Sequence, residues 1–130
     1  MKMETRSELQ YTEDHEWLLI EGKTVTIGIT DFAQDSLGDI VYVELPEVGM
    51  VVEEGESLGN IESVKAVSEV FCPVDGEVIE VNKLLEEQPE CVNSDPYDDG
   101  WMVKMTIDPA SLREVKLMDE EQYTNLIETK

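Results

Sequence analysis

Ile61-Glu62-Ser63-Val64-Lys65-Ala66-Val67-Ser68-Glu69-Val70 sets apolar strand-formers on both sides of a single lysine. Apolar strand-formers on both sides of a short central turn form the pattern of a hairpin. Lys65 is therefore expected at its tip, extended into solvent on a flexible four-carbon stem. Such a lysine is a natural handle for covalent modification. The plainer alternative is an ordinary solvated turn lysine. Only nine residues of the 130 are Lys or Arg, which makes the placement of this one informative.

Outward from that segment, strand-like alternation dominates. Val25, Ile27 and Ile29 alternate with Thr24, Thr26 and Gly28. Val41, Val43 and Leu45 alternate with Tyr42 and Glu44, and Trp101, Val103, Met105 and Ile107 with Met102, Lys104 and Thr106. Glu21-Gly22, Glu54-Gly55, Asp75-Gly76 and Asp99-Gly100 supply turns between the runs. Many short strands at this spacing predict an all-β sandwich or barrel. A 27-residue offset aligns Gly49 with Gly76, Val51 with Val78, Val52 with Ile79, Glu53 with Glu80, Gly55 with Asn82 and Leu58 with Leu85. Gly and Asn most readily take positive φ, so the offset predicts two similar β units that repeat one turn. Chance among common Val and Glu residues is the alternative.

Helices are expected to be short and peripheral. One spans Thr30 to Leu37, with Thr30 as N-cap and Gly38 as left-handed stop. A second begins at Asp108-Pro109, and a third at Asp119, where Gln122 completes a capping box. The C-terminal piece is too short to stand alone and must pack on the β core. A single domain over 1–130 results, with a core over about 11–107 and a helical segment over about 108–130.

Hydrophobic residues make up 41% of the chain, enough for a core, yet the net charge is −22. That charge argues against nucleic acid and against an anionic membrane surface. No apolar run approaches the roughly 18 residues that span a bilayer. Met1-Lys2-Met3-Glu4-Thr5-Arg6 lacks the apolar stretch of a signal peptide, so a targeting segment is expected to be absent or already removed. Cys72 and Cys91 have no partner motif, and His15 is the sole histidine. A zinc site, a Cys-His nucleophile and a Ser-His-Asp triad are therefore disfavoured by counting. The two thiols read as small buried hydrophobes, with a disulfide left open. His15 reads as a structural hydrogen-bonder. Asp95-Pro96-Tyr97-Asp98-Asp99-Gly100 reads as a turn, because Tyr97 and Thr106 occupy positions a calcium loop would give to ligands. Glu53-Glu54 and Glu86-Glu87 read as solvated faces, and Met102 and Met105 as core or rim.

The stretch Glu62-Ser63-Val64-Lys65-Ala66 resembles the lipoylation site of the glycine cleavage system H proteins. His15-Glu16-Trp17, Gly28-Ile29-Thr30-Asp31, Ala33-Gln34-Asp35 and Leu37-Gly38-Asp39 follow the same family pattern. So do Val43-Glu44-Leu45-Pro46, Gly76-Glu77-Val78, and Asn93-Ser94-Asp95-Pro96-Tyr97 with Gly100-Trp101. The resemblance runs from about Tyr11 to Tyr123, in order. Each string alone is weak; together they are specific. Biotin carriers share the fold but typically have Met on both sides of the modified lysine, where this chain has Val64 and Ala66.

The resemblance implies a mostly β fold, a flattened antiparallel lipoyl-domain-like barrel or sandwich of two related sheets with short peripheral helices. It implies a non-catalytic carrier in which lipoate is attached as an amide to Lys65, within a recognition turn of Glu62, Ser63, Val64 and Ala66. The implied partners are glycine decarboxylase (P protein), aminomethyltransferase (T protein) and dihydrolipoamide dehydrogenase (L protein). A lipoate ligase or lipoyltransferase would load the arm. The chemistry belongs to cofactor and partners, and the acidic surface can steer encounters with basic rims or simply keep the chain soluble. The loaded arm is implied to fold back into a cleft that here matches Asp14, Glu16, Ile29, Ser36, Ala66 and Glu69. An acidic lining suits a cationic amine; relatives often have His at the position of Ser36. For Asp14 and Glu16 the plainer reading is exposed loop and strand charge. The implied chain is a monomer, with no metal, in a bacterial cytoplasm, or in the mitochondrial matrix if it is a processed eukaryotic chain. The rivals are a relay donating lipoate to 2-oxoacid dehydrogenases and a non-lipoylated acidic interaction module.

Overall fold

A computed structural model describes residues 3–128. Met1, Lys2, Thr129 and Lys130, the outermost residues of the expected single domain, lie outside the described residues. In chain order the elements are β1 (Gln10–Tyr11), β2 (Glu16–Glu21), β3 (Thr24–Ile29), α1 (Asp31–Leu37), β4 (Ile40–Glu44) and β5 (Val51–Val52). They continue with β6 (Ser57–Ser63), β7 (Val67–Phe71), β8 (Gly76–Val81), α2 (Leu84–Glu87), α3 (Cys91–Ser94) and β9 (Val103–Thr106). A 3-10 turn (Pro109–Arg113) and α4 (Glu120–Glu128) follow.

Two antiparallel sheets form. One has the order β1-β2-β3-β9-β8-β5, the other β4-β6-β7. Leu18, Val25, Ile27, Val78, Val103 and Met105 of the first sheet share one apolar core with Ile40, Val43, Leu58, Ile61 and Val70 of the second. Met102 is as fully buried as Met105, so both methionines belong to the core. β3 is buried on both faces from Val25 to Ile29. Its outer face lies under Trp17, which is paired with Gly28. A Cβ at Gly28 would stand 2.7 Å from the indole, so only glycine admits that packing.

A second, aromatic cluster ties the C-terminal segment to this framework. Tyr11, Trp17, Tyr97 and Tyr123 are buried together, with Tyr11 and Tyr123 stacked at 4.5 Å. The Tyr123 hydroxyl meets Thr30 Oγ1 at 2.7 Å and His15 Nδ1 at 2.8 Å, which gives His15 a structural hydrogen bond. α4 starts with a reciprocal capping box: Gln122 N–H donates to the Asp119 carboxylate, and Asp119 N–H to the Gln122 side chain. Thr30 caps α1 through the Ala33 N–H, and Gly38 ends it at φ +81°. The segment at Asp108-Pro109 is a single 3-10 turn, again side-chain capped.

Two expectations are corrected. Val41 was placed on the buried face with Val43 and Leu45. The register slips between Ile40 and Tyr42, so Ile40 and Val43 are buried while Val41 is 52% exposed. A bulge inserts one residue and turns both Val41 and Tyr42 outward. The 27-residue offset does not repeat a turn: Gly49 and Gly55 take positive φ, whereas Gly76 and Asn82 do not. Asn82 instead donates to the Asp99 and Trp101 carbonyls, both at 2.7 Å. The two segments pair with each other in one sheet, Val51 with Glu77 and Val52 with Gly76. α2 and α3 were not anticipated, because four-residue helices carry no readable period.

Candidate functional site

The turn between β6 and β7 displays Lys65. Its backbone is closed from within: Ser63 N–H donates to the Ala66 carbonyl at 2.8 Å. The Ser63 hydroxyl oxygen accepts the amides of Lys65 at 3.3 Å and Ala66 at 3.0 Å. It is also held from outside, where Val64 N–H donates to the Asp39 carbonyl at 3.0 Å. The lysine stem lies over Gly38; a Cβ there would be 3.5 Å from Lys65 Cε. Glu62, Val64, Lys65, Ala66 and Val67 are exposed. Among the described residues the Lys65 ammonium makes no ion pair. Val64 and Val67 are 69% and 67% exposed, so apolar side chains flank the lysine on both sides. A displayed amine on an ordered backbone suits attachment of an acyl group as an amide.

β7 leads from this turn to a second feature. Six residues on from Lys65, roughly 20 Å of extended strand, Phe71 N–H donates to the Glu16 carboxylate at 2.9 Å. β7 is the edge of its sheet, so this carboxylate caps an otherwise free edge amide. The Thr12 hydroxyl donates to the other Glu16 oxygen at 3.0 Å. Glu16 is only 2% exposed. Burial pushes its pKa up to about 7. The Phe71 amide and Thr12 hydroxyl pull it down, and Asp14 pushes it up further.

Glu16 forms part of a cavity of about 350 Å³, to which Thr12, Asp14, Phe71, Cys72 and Lys116 contribute. Cys72 is a buried free thiol, raised to about 11 by burial; Cys91 is also free and half-buried. Lys116 pairs with Glu13 at 2.7 Å at the cavity wall.

The structure therefore brings together two of the positions matched to an arm cleft, Asp14 and Glu16. Asp14 is exposed as the plainer reading held, but Glu16 is buried, contrary to it. Ile29 pairs with Glu16 across β2 and β3, yet its side chain joins the main core. Ser36, exposed on α1, and Glu69, exposed on β7, do not line the cavity. Thr12, Phe71 and Lys116 were not singled out from the sequence, and nothing local in it marks them. Asn93 sits behind the Lys65 turn, and nothing in its local sequence marks a role there. Asp95 to Gly100 forms a tight turn, closed by Gly100 N–H to the Asp95 carbonyl at 2.8 Å.

Two antiparallel sheets, with a lysine raised on the β6–β7 hairpin of the smaller one, define a small carrier domain of the lipoyl type. A crystallised glycine cleavage system H protein from Mycobacterium marinum superposes with a TM-score of 0.82 at 35% identity, over 93% of this chain and 97% of that one. The H protein of Staphylococcus saprophyticus is 53% identical over 125 residues, covering 96% of this chain and 98% of its own. That of Thermus thermophilus is 52% identical over 120 residues, 92% of each. Residues 9–130 match the family described as glycine cleavage H-protein. The chain belongs to that family, and its function is that of the lipoyl carrier of the glycine cleavage system.

Proposed function

We propose that Lys65 is the residue that carries lipoate, joined through its Nζ as an amide, and that the chain is a non-catalytic carrier domain. One observation carries this reading. Lys65 is an exposed amine without an ion pair among the described residues, on a turn whose backbone is hydrogen-bonded from two sides. Lipoate, when bound, supplies a thiol–disulfide couple able to take up a one-carbon unit and two electrons. The protein's own part is to present and to receive. Ser63 and Asp39 order the turn, while Val64 and Val67 offer apolar contacts to whichever enzyme grips the lysine. At the far end of β7, Asp14 and Glu16 offer carboxylates to a cationic amine, in a cavity walled partly by Phe71.

The reading extends to P, T and L proteins as successive partners and to a lipoate ligase or lipoyltransferase as the loading enzyme. A charge of −22 favours fast, salt-sensitive encounters with basic partner surfaces. The reading also makes the chain a monomer, acting in a bacterial cytoplasm, or in the mitochondrial matrix if it is a processed eukaryotic chain. The test is intact mass before and after incubation with a lipoate ligase, ATP and lipoate, followed by peptide mapping. One lipoyl group on Lys65, absent in Lys65→Ala, is the expected result. No gain under conditions that modify a known acceptor would overturn it and leave an acidic interaction module.

A further inference from the structure

Behind the Lys65 turn, the link from α1 to β4 makes a sharp bend at Gly38, whose φ is +81°. Three polar groups surround that bend and all meet one side chain. Ile40 N–H donates to Asn93 Oδ1 at 2.8 Å. Asn93 Nδ2 donates to the Gly38 carbonyl at 2.9 Å and to Gln34 Oε1 at 2.8 Å. The amide orientation follows from chemistry: a backbone N–H faces only an acceptor, and a backbone carbonyl only a donor. Between the two clamped residues lies Asp39, whose carbonyl accepts the Val64 amide at 3.0 Å. Ile40 also pairs with Ser63, the residue that closes the turn from within. Asn93 is itself anchored, because its neighbour Val92 on α3 is fully buried in the main core.

We infer that Asn93 is a positioning residue for modification of Lys65: its amide clamps Gly38 and Ile40, which aims the Asp39 carbonyl at Val64 and holds the turn in one conformation. The inference rests on the reading of Lys65 as the acceptor lysine. Among the described residues Asn93 makes no hydrogen bond to Lys65; its bonds go to Gln34, Gly38 and Ile40. Its effect is to order the turn before an enzyme arrives, so that the ordering cost is not charged to binding. Aspartate at this position keeps the acceptor for Ile40 but sets an oxygen against the Gly38 carbonyl. Alanine removes both halves of the clamp.

The test combines lipoate-ligase kinetics, with the unmodified full-length chain as the varied substrate, and amide hydrogen exchange of that same chain. Asn93→Ala is expected to raise KM for the chain about tenfold with kcat nearly unchanged, and to speed exchange at Val64 and Ile40 by a similar factor. Asn93→Asp should fall between it and the parent, and it carries the test if the alanine variant fails to fold. Val25→Ala, buried in β3, is expected to lower stability and leave KM for the chain unchanged. Parent-like KM and Val64 exchange in the Asn93 variants would overturn the inference, as would the same KM rise in Val25→Ala. If the parent chain itself accepts no lipoate, the reading of Lys65 fails, while exchange at Val64 and Ile40 still decides whether the clamp exists.

Discussion

The two ends of β7 treat charge in opposite ways. At the Lys65 turn the backbone is pinned and the side chain is free. At Glu16 the side chain is pinned and water is kept out. The lysine keeps its hydration, so displaying it costs little. The carboxylate loses most of its hydration, and two hydrogen bonds recover only part of the loss, which is why its pKa rises to about 7. On the proposed reading, Lys65 needs an ordered base and a loose arm, and Glu16, as a receiver of the carried amine, needs a fixed position in a drier site. Burying the carboxylate costs stability, which the fold gives up to hold it there.

That contrast can be broken at either end. The largest effect is expected from Lys65→Arg, which keeps the charge but removes the acylable amine. Mass spectrometry after ligase treatment should show no lipoyl gain at all, while stability stays within about 0.5 kcal/mol of the parent. A large stability loss would show that the lysine is structural.

Next comes Glu16→Gln. The folded carboxyl holds its proton above the pH at which the unfolded one releases it. Between about pH 4.5 and 7 the folded chain therefore binds more protons, and its stability falls as pH rises through that window. A shift from 4.5 to about 7 corresponds to a cost of about 3 kcal/mol above pH 7. Glutamine can accept from Phe71 and donate to Thr12 without a charge. Urea unfolding at pH 8 should find it about 2–3 kcal/mol more stable than the parent, and at pH 4 nearly equal. Equal differences at both pH values would mean that the carboxylate is not desolvated as its surroundings indicate.

The smallest effect is expected from Ser63→Ala. It removes the hydroxyl that accepts the Lys65 and Ala66 amides. A loss of about 1 kcal/mol or less, with faster exchange at those two amides, is expected. The pH dependence assigned to Glu16 should not move. If it does, the two ends of β7 are coupled rather than separate.

Much of this was legible beforehand wherever the determining contacts are local. Thr30 caps α1 from three residues away, Gly38 stops it, and Asp119 and Gln122 cap each other across a single turn. The hairpin around Lys65 is of the same kind, apolar strand-formers on both sides and a serine that closes its own turn. The resemblance to the H-protein family added the carrier role. Legibility failed where phase or burial depended on a distant neighbour. Nothing in Val41-Tyr42-Val43 shows the slipped register with β6, and Asn82 was read for its backbone tolerance when its side chain was the part in use.

Sequence alone determined the fold class, the lysine at the tip, both ends of α1 and the start of α4, because each follows from propensities and hydrogen bonds within a few residues. Tertiary structure alone decided that Glu16 is buried, through an amide 55 residues away, and that Asn93 clamps the base of the Lys65 turn, through an amide 53 residues away. Desolvation and long-range hydrogen bonding belong to the assembled neighbourhood, and a one-dimensional pattern of polar and apolar residues does not contain it.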